Sequence, residues 1–280
     1  MIRDVELGDL WYSKRKIVEK GGIYMDLGLQ GKVVVVTGGT AGIGLATAKA
    51  FLQEGASVAV CGRRQELLDD AVKALGGDVF AYRADMTDEG EVTAFAGAVY
   101  DHFGHIDVWV NNVGASFARK GAWYTAAEID AHYAVNFKSV VMGSQAAIPF
   151  LEKQGGVIIN VSSLAARCAT SGRATLYGAM KAAVVNYTNT LAGEVAAKGI
   201  RVLAIMPGFT LTPLVAATID DDELQKQVKE CLQRRPASPE EIAGPIVFLA
   251  SQQASYMNAA VIEVSGGRNV TLNPGYSYGD

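Results

Sequence analysis

Cysteine and histidine are scarce in this chain of 280 residues, which contains three of each. The three cysteines are odd in number and far apart: Cys61, Cys168 and Cys231. Such a set is neither a disulfide framework nor a zinc site, and it is typical of a reduced, cytoplasmic protein. The three histidines have no carboxylate or cysteine partner at ligand spacing: His102, His105 and His132. The sequence therefore predicts no metal site and a cytoplasmic location.

Long apolar runs and an excess of charge of one sign are also lacking. No stretch approaches the roughly 18 continuous apolar residues that a membrane span needs. The formal net charge of -4 gives no electrostatic reason to bind nucleic acid or an anionic membrane. The basic residues at 14–16 are not followed by the apolar core of a signal peptide. We expect residues 1–30 to be an N-terminal extension that rests on the domain.

What the sequence has in abundance is apolar material, arranged as alternating strands and helices. Hydrophobic residues make up 50% of the chain, which is enough for a substantial core. Strands are predicted at 32–36, 57–61, 79–82, 108–110, 157–161, 201–205 and 261–264. The helical patterns between them indicate right-handed crossovers and a parallel, doubly wound, seven-stranded sheet of the α/β class. No linker interrupts the pattern, so residues 31–280 are predicted to form one domain.

A glycine-rich turn joins the first strand to the first helix, and we call residues 37–44 the glycine turn. It contains Gly38, Gly42 and Gly44, which permit a sharp bend and let a ligand approach bare backbone. The helix that follows offers free N–H groups and the positive end of its dipole, which favour a diphosphate. A tight turn without a ligand is the alternative. Because a βαβ unit surrounds the glycines, nucleotide binding is favoured.

Residues that can move a proton follow the fifth predicted strand. Ser163 comes directly after it, and Tyr177 and Lys181 stand four residues apart on the next predicted helix, hence on one face. A lysine cation beside a phenol favours the phenolate, which lowers a pKa of about 10. Tyr177 is therefore a candidate proton donor and acceptor, and the Ser163 hydroxyl could hold a substrate oxygen. Each residue alone has an ordinary structural explanation, but together with the glycine turn the set favours catalysis.

These motifs resemble the short-chain dehydrogenase/reductase family, and the likeness extends from Gly31 to Arg268. The matching motifs lie at 37–44, 111–114, 163, 177–181, 207–212, 239–243, 248–251 and 266–267. The resemblance implies a Rossmann-type fold and an NAD(P)-dependent oxidoreductase that interconverts a ketone or aldehyde and an alcohol by hydride transfer.

The resemblance also implies roles for individual residues. Tyr177 would be the general acid/base, Lys181 would lower its pKa and bind the nicotinamide ribose, and Ser163 would orient the substrate oxygen. Asn136, on a long helix predicted over 127–150, would be the fourth catalytic residue, although the residues alone favour an ordinary polar position there. The implied cofactor-binding residues are Gly38, Thr40, Gly42, Ile43, Gly44, Arg63, Asp85, Met86, Asn111, Gly114, Tyr177, Lys181, Pro207, Gly208, Thr210 and Thr212.

Two other classes of function remain open. One is a nucleotide-binding regulator that has kept the fold and lost the chemistry, although such a protein has no use for a complete catalytic set. The other is a sugar-nucleotide epimerase, which the glycine spacing and the short chain disfavour. We predict catalysis on a small-molecule carbonyl or alcohol substrate.

The substrate is less sharply defined. Residues 208–238 hold apolar side chains followed by an acidic run, and they predict a lid over the nicotinamide, with a plain surface helix pair as the alternative. Aromatic residues that could form the opposite wall are Phe117, Trp123 and Tyr124. Arginines that could bind an anionic group are Arg119, Arg167 and Arg173. We predict a small or medium ketone, alcohol or sugar-derived substrate, with a 3-oxoacyl thioester as runner-up.

The residues at the end of the second predicted strand indicate whether NAD or NADP is preferred. An acidic residue at its end would bind the ribose 2′-hydroxyl of NAD, but this strand ends in Gly62 and is followed by Arg63 and Arg64. An arginine can pair with the 2′-phosphate of NADP through its planar fork. Ala41 stands where many NADP-dependent relatives carry a basic residue. NADP is favoured, with Arg63 as the main phosphate contact, and NAD is the alternative.

Assembly follows from the resemblance. The predicted helices at 127–150 and 175–197 carry many small residues, which permit close packing between subunits. Because the family commonly forms tetramers, we expect a homotetramer, with a dimer as the alternative.

Overall fold

The computed structural model describes residues 25–117, 123–168, 174–268, 270–271 and 273–279. Most of the predicted N-terminal extension therefore lies outside the described residues. The same holds for Arg119 and Arg173, two of the arginines considered for an anionic group.

Within the described residues, seven parallel strands form one sheet. They are β1 (Val33–Thr37), β2 (Ser57–Gly62), β3 (Val79–Arg83), β4 (Val108–Asn111), β5 (Gly156–Val161), β6 (Ile200–Pro207) and β7 (Val261–Val264). Their order across the sheet is β3-β2-β1-β4-β5-β6-β7. The predicted doubly wound, parallel sheet is confirmed.

Helices connect the strands and cover both faces of the sheet. They are α1 (Gly42–Gln53), α2 (Gln65–Leu75), α3 (Glu89–Phe103), α4 (Ala126–Tyr133), α5 (Ser139–Leu151), α6 (Thr175–Val195), α7 (Pro213–Ala216), α8 (Asp221–Lys229) and α9 (Pro239–Ala250). The single helix predicted over 127–150 is wrong in one respect. A widened π turn, Ala134–Lys138, separates α4 from α5.

The four valines of β1 show how the sheet is held at its centre. Val34 and Val36 belong to the apolar layer on one face, whereas Val33 and Val35 belong to the layer on the other face. All four are buried. Helices α1 and α9 cover the first layer, and α3, α5 and α6 cover the second. Because β-branched side chains pack well on both sides of a pleated strand, this run forms a central strand.

The chain reverses its winding direction between β1 and β4, and a crevice forms there at the carboxyl ends of the strands. Asn112, after β4, donates from Nδ2 to the carbonyl oxygens of Thr37 (3.0 Å) and Gly38 (3.2 Å). The Thr37 hydroxyl accepts from the Asn112 N–H (3.0 Å) and donates to the Val110 carbonyl (3.2 Å). These bonds fix the turns after β1 and β4 against each other.

A buried polar network lies beneath this edge. Asn111 Oδ1 accepts from Trp109 Nε1 at 2.8 Å, and its Nδ2 donates to Ser144 Oγ and to Asn160 Oδ1, each at 2.9 Å. Asn160 Nδ2 in turn donates to Thr188 Oγ1 at 2.9 Å. Because both amide hydrogens of Asn111 are bonded, its buried side chain is satisfied. The network joins β4, β5, α5 and α6.

Residues 208–238, which link β6 to α9, form a closed excursion from the sheet. Its two ends are tied together by bonds from Leu211 N to the Ala237 carbonyl and from Ala237 N to the Phe209 carbonyl, each 2.9 Å long. Between these ends lie the short helix α7 and helix α8, whose first turn is acidic.

The polar network makes Gly143 of α5 a sensitive position. A Cβ atom added there would lie 2.3 Å from Asn111 Oδ1, far inside van der Waals contact. Gly143→Ala should therefore lower the free energy of unfolding by about 2 kcal/mol, because it displaces a fully bonded buried amide. Urea unfolding measures this change.

The matched control is Gly97→Ala on α3, where an added Cβ atom meets nothing within 4 Å. It should be neutral or stabilise by about 0.5–1 kcal/mol, because alanine favours helix. Equal effects of the two substitutions would contradict the proposed importance of the network.

Candidate active site

The glycine turn leaves backbone exposed at the start of α1. Gly38 and Gly42 have φ values of +65° and +53°, which favour glycine. A Cβ atom added at Gly44 would lie 2.3 Å from the Gly38 carbonyl oxygen and 2.5 Å from Asn112 Nδ2. The residue before α1, Ala41, makes no side-chain bond to the helix N-terminus. This cradle of bare N–H groups fits a diphosphate.

A side chain at Gly62, which ends β2, would come into close contact with Thr40. A Cβ atom at Gly62 would lie 2.8 Å from Thr40 Cγ2, so an acidic side chain could not occupy this position without displacing Thr40. The following Arg63 is largely exposed, and its Nη1 lies 4.0 Å from Asp85 Oδ2. Asp85 Oδ1 accepts from the N–H (2.9 Å) and hydroxyl (2.8 Å) of Thr87, which holds this carboxylate in place.

Two of the predicted cofactor residues turn their side chains away from the crevice. Met86 is buried in the apolar layer formed with α3. The side-chain oxygen and nitrogen of Asn111 are both hydrogen-bonded within the polar network beneath the sheet edge. In this arrangement the two side chains are occupied within the fold, and the main chain of each residue is the part that adjoins the crevice.

Lys181 is buried beneath the crevice, with 2% of its surface exposed. Its Nζ donates to the Val161 carbonyl at 2.8 Å, at the end of β5. A Cβ atom added at Gly114 would lie only 2.9 Å from this Nζ, so glycine lets the turn after β4 approach the ammonium. Burial lowers the pKa of Lys181 from 10.5 to about 8.

Tyr177 and Ser163 are brought together by α6 and the end of β5. The Ser163 hydroxyl accepts from the Ala165 N–H at 3.1 Å and also hydrogen-bonds the Tyr177 phenol. Lys181 Nζ lies 5.7 Å from the centre of the Tyr177 ring. One link between these elements is the Ser162 hydroxyl, which donates to the Lys181 carbonyl at 2.8 Å.

The pKa of Tyr177 departs from the expectation drawn from its spacing to Lys181. Burial raises this pKa above its ordinary value of 10, and the Ser163 hydrogen bond lowers it by less. The expected net decrease in the pKa is therefore not found in this arrangement, because desolvation of the buried phenol outweighs the hydrogen bond from Ser163. At neutral pH the phenol holds its proton.

Asn136 lies at the centre of the π turn and is fully buried. Its Oδ1 accepts from Ala115 N at 3.0 Å, and its Nδ2 donates to the carbonyls of Ala115 (2.9 Å) and His132 (3.2 Å). Asn136 thereby holds the segment after β4 beside Lys181. Single π turns are rare and often lie at functional sites.

The segment after β6 approaches the glycine turn from the opposite side. Gly208 packs on Ser265, where an added Cβ atom would meet the backbone at 2.7 Å. Thr210 is buried and donates to the Gly208 carbonyl at 3.3 Å. Thr212 caps α7, and its Cγ2 lies 3.2 Å from the position of a Cβ atom at Gly42. Pro207 ends β6 just before this segment.

The remaining candidates differ in their availability. Arg167 forms an ion pair with Glu263 through Nη1, at 3.0 Å. Phe117 and Tyr124 pack their rings against His132, with ring centroids 4.9 and 5.8 Å from it, whereas Trp123 is 87% exposed. His132, on which both rings pack, is buried, and the sequence predicts no such role for it because a lone histidine carries no pattern. The described residues contain no cluster suited to a metal ion and no helix able to cross a membrane.

Together, the cradle, the crevice at the reversal point and the Ser–Tyr–Lys cluster define a nucleotide-dependent oxidoreductase. The protein-family model described as Enoyl-(Acyl carrier protein) reductase matches residues 38–269. The chain belongs to the short-chain dehydrogenase/reductase family. It is an NAD(P)-dependent enzyme that interconverts carbonyl compounds and alcohols.

Similar proteins include enzymes that act on different carbonyl compounds. The 3-oxoacyl-acyl-carrier-protein reductase FabG of Thermotoga maritima is 38% identical over 248 residues, covering 85% of this chain and 98% of the relative. The 3alpha-hydroxysteroid dehydrogenase of Mediterraneibacter gnavus is 36% identical over 244 residues, covering 85% and 97%. The RhlG/NADP active-site complex of Pseudomonas aeruginosa has a TM-score of 0.81 and 30% identity, covering 85% and 96%.

The buried Lys181 should cost the protein stability. Its charged form is disfavoured in the fold, and the shift of its pKa from 10.5 to about 8 corresponds to about 3 kcal/mol. This cost is fully present below the folded pKa and is relieved as the pH rises from about 8 towards 10.5. Lys181→Met should therefore raise the free energy of unfolding at neutral pH by about 1–3 kcal/mol, since the new side chain keeps the shape but loses one hydrogen bond.

Chemical denaturation at several pH values between neutral and about 9.5 tests this linkage. The advantage of Lys181→Met over the unmodified protein should shrink as the pH rises. A constant advantage, or none at neutral pH, would show that Lys181 is not destabilised by burial.

Proposed function

We propose that the protein uses NADP to interconvert a small or medium ketone or aldehyde and the corresponding alcohol, with Tyr177 as the general acid/base. The observation that carries this proposal is the cluster of Ser163, Tyr177 and Lys181 beside the glycine cradle. A pure nucleotide-binding regulator would have no need to bury a lysine at this cost.

The residues of the crevice fit a nicotinamide dinucleotide, which supplies or accepts the hydride when it is bound. Gly38, Gly42 and Gly44, with the adjoining Thr40 and Ile43, would hold its diphosphate. Asp85 and the Met86 main chain would lie at the adenine end. Lys181 would hold the nicotinamide ribose, and Gly114 with the main chain of Asn111 would border it. Pro207, Gly208, Thr210 and Thr212 would flank the nicotinamide.

The acid/base step depends on the pKa of Tyr177. Because burial keeps the phenol protonated at neutral pH, Tyr177 is set to donate a proton to the oxygen of a carbonyl substrate. Ser163 would donate a hydrogen bond to the same oxygen and fix its position. As the phenolate forms, the Lys181 ammonium stabilises it, and Asn136 keeps the wall beside that ammonium in place. In the oxidative direction the phenolate takes the proton from the alcohol.

Tyr177→Phe should lower kcat by about a thousandfold or more, because it removes the proton that the step requires. Steady-state turnover, followed by nicotinamide absorbance on a panel of ketones and alcohols, measures this loss. Cofactor affinity, measured separately by fluorescence titration, should fall far less.

Tyr187→Phe is the matched control, since it removes a phenol hydroxyl from the same helix at a site bonded to Ser144. It should retain most of the turnover. Near-native kcat in Tyr177→Phe would show that another group is the acid/base, and absence of turnover by the unmodified protein across the panel would favour the regulator.

The preference for NADP rests on the end of β2. Thr40 fills the space that an acidic side chain at 62 would need, and Arg63 extends largely exposed beside Asp85. The planar guanidinium of Arg63 could pair with a 2′-phosphate. The NADP complex of the Pseudomonas aeruginosa neighbour supports the same choice.

Arg63→Ala should weaken NADP(H) binding by about tenfold and leave NAD(H) binding nearly unchanged, because only NADP carries the phosphate. Dissociation constants for both cofactors, measured by fluorescence titration, test this. Arg64→Ala, one residue along at the start of α2, is the control and should change the ratio of the two constants much less. Equal loss for both cofactors in Arg63→Ala would mean that the phosphate is not recognised here.

Residues 208–238 are proposed to act as a lid over the substrate. Thr212 reaches the glycine turn, and Leu211 and Leu214 expose apolar side chains near this end of the segment. A 3-oxoacyl thioester is the runner-up substrate, favoured by the similarity to the Thermotoga maritima reductase. The substrate panel should therefore include short 3-oxoacyl thioesters alongside simple and sugar-derived ketones.

A homotetramer and a cytoplasmic location are further proposals that follow from the family. Large exposed apolar side chains on α4 and on or beside α9 offer material for subunit contacts: Ile129, Tyr133, Phe248 and Tyr256. Light scattering of the purified protein determines the number of subunits.

A further inference from the structure

The part of the 208–238 segment that follows α8, which we call its far end, is held by the loop that follows β7. Gln233 N donates to the Gly266 carbonyl at 3.1 Å, and Arg268 forms an ion pair with Glu230. At Gly267, whose φ is +73°, an added Cβ atom would lie 2.7 Å from Leu232 Cδ1. The chain that leaves α8 therefore rests closely on this loop.

Residues near the C-terminal end of the chain also contact the far end of the 208–238 segment. Residues 273–279, which we call the C-terminal strap, fold back on their own subunit and include a short helical turn, Tyr276–Tyr278. The Tyr278 hydroxyl donates to the Leu232 carbonyl at 2.6 Å. The guanidinium carbon of Arg234 lies 4.5 Å from the centre of the Tyr278 ring, within cation–π range.

Arg234 occupies an unusual backbone conformation at this point. Its φ is +53°, in the left-handed region that side chains other than glycine seldom adopt. Such a conformation persists where its surroundings over-determine it. The Arg234 N–H bond to the Cys231 carbonyl (3.1 Å) and the stacking on Tyr278 supply those surroundings.

We propose that the C-terminal strap is a positioning device for the substrate lid, and that Tyr278 is its positioning residue. This inference rests on the proposed function of the 208–238 segment. The near end of the segment contacts the glycine turn through Thr212, and its base is closed by the pairing of Leu211 and Ala237. With those two points fixed, the orientation of α8 depends on how the residues that follow it are held. Tyr278 contacts two of these residues, Leu232 and Arg234.

The contacts divide the role of Tyr278 into two parts that substitutions can separate. Tyr278→Phe removes the hydrogen bond to Leu232 and keeps the ring beneath Arg234. Tyr278→Leu removes both contacts. Because Tyr278 is 55% exposed, neither change should prevent folding. Tyr276, in the same turn, is 83% exposed and has no side-chain hydrogen bond or ring contact among the described residues, so Tyr276→Leu is the matched control.

Steady-state kinetics on the full chain provide the first test, with the best carbonyl substrate of the panel. KM for that substrate should rise about fivefold in Tyr278→Phe and about tenfold in Tyr278→Leu, because a looser lid holds substrate less well. Both kcat and the NADPH dissociation constant should stay within about twofold, since the strap touches neither the acid/base cluster nor the glycine turn. Tyr276→Leu should match the unmodified protein. Equal KM values in all four proteins would overturn the proposal.

Hydrogen exchange over Asp221–Lys229 provides a readout that needs no substrate. Exchange in α8 should be faster in Tyr278→Leu than in Tyr276→Leu, while exchange in α1 and α6 stays the same. If α8 exchanges equally in both variants, the strap does not position it. If exchange responds but the unmodified protein turns over no carbonyl compound, the strap is supported and the proposed function fails instead.

Discussion

The close approach of two turns at the reversal point of the sheet is the constraint on which the rest of the site depends. Gly44 and Gly38 pack so tightly that no side chain fits between them, and Asn112 bonds across the gap to the Gly38 carbonyl. The turn after β1 must therefore stay glycine-rich, and the turn after β4 must carry an amide. That fixed edge also sets where Lys181 and Asn136 meet the chain, because both lie against Gly114 in the same turn.

The buried polar network explains how such an edge stays rigid. Asn111 and Asn160 stand opposite each other in neighbouring strands and exchange a bond directly below the crevice. A half-satisfied amide at this depth would cost about 1–3 kcal/mol, so the partners Trp109, Ser144 and Thr188 form one unit with them. The side chain of Asn111, which the family resemblance associates with the cofactor, is therefore part of the structure that holds the sheet edge together.

Sequence reasoning succeeded where local chemistry decides the outcome. The sequence predicts helices over 89–103 and 239–250, and these bounds agree with α3 and α9. Asp88 and Ser238 cap the two helices, and Gly104 ends the first of them. The parallel, doubly wound character of the sheet follows from the alternation of strands and helices and from the handedness of the crossovers. The π turn was missed, because its five residues are all compatible with an ordinary helix and the widening reflects the bonds of Asn136 to Ala115, a contact 21 residues away in the chain. The role of the C-terminal strap could not be predicted either, since Tyr278 and Leu232 are 46 residues apart and neither belongs to a pattern.

The direction of the Tyr177 pKa shift shows that the spacing of a sequence motif does not by itself determine a protonation state. Spacing places a phenol and an ammonium on one helix face, and Coulomb attraction alone would favour the phenolate. Burial acts on both groups at once, raising the pKa of Tyr177 and lowering that of Lys181, so each resists its charged form. In the proposed mechanism the pair therefore begins with a proton on the phenol, and charge would develop there only when the proton leaves for the substrate oxygen. The electrostatic stabilisation by the Lys181 ammonium would then be larger than before the transfer. The reason is that the low-dielectric surroundings that oppose the phenolate also strengthen its attraction to the ammonium. In the proposed mechanism, desolvation and attraction would act at different stages of one step, which would allow a tyrosine with a raised pKa to serve as the acid.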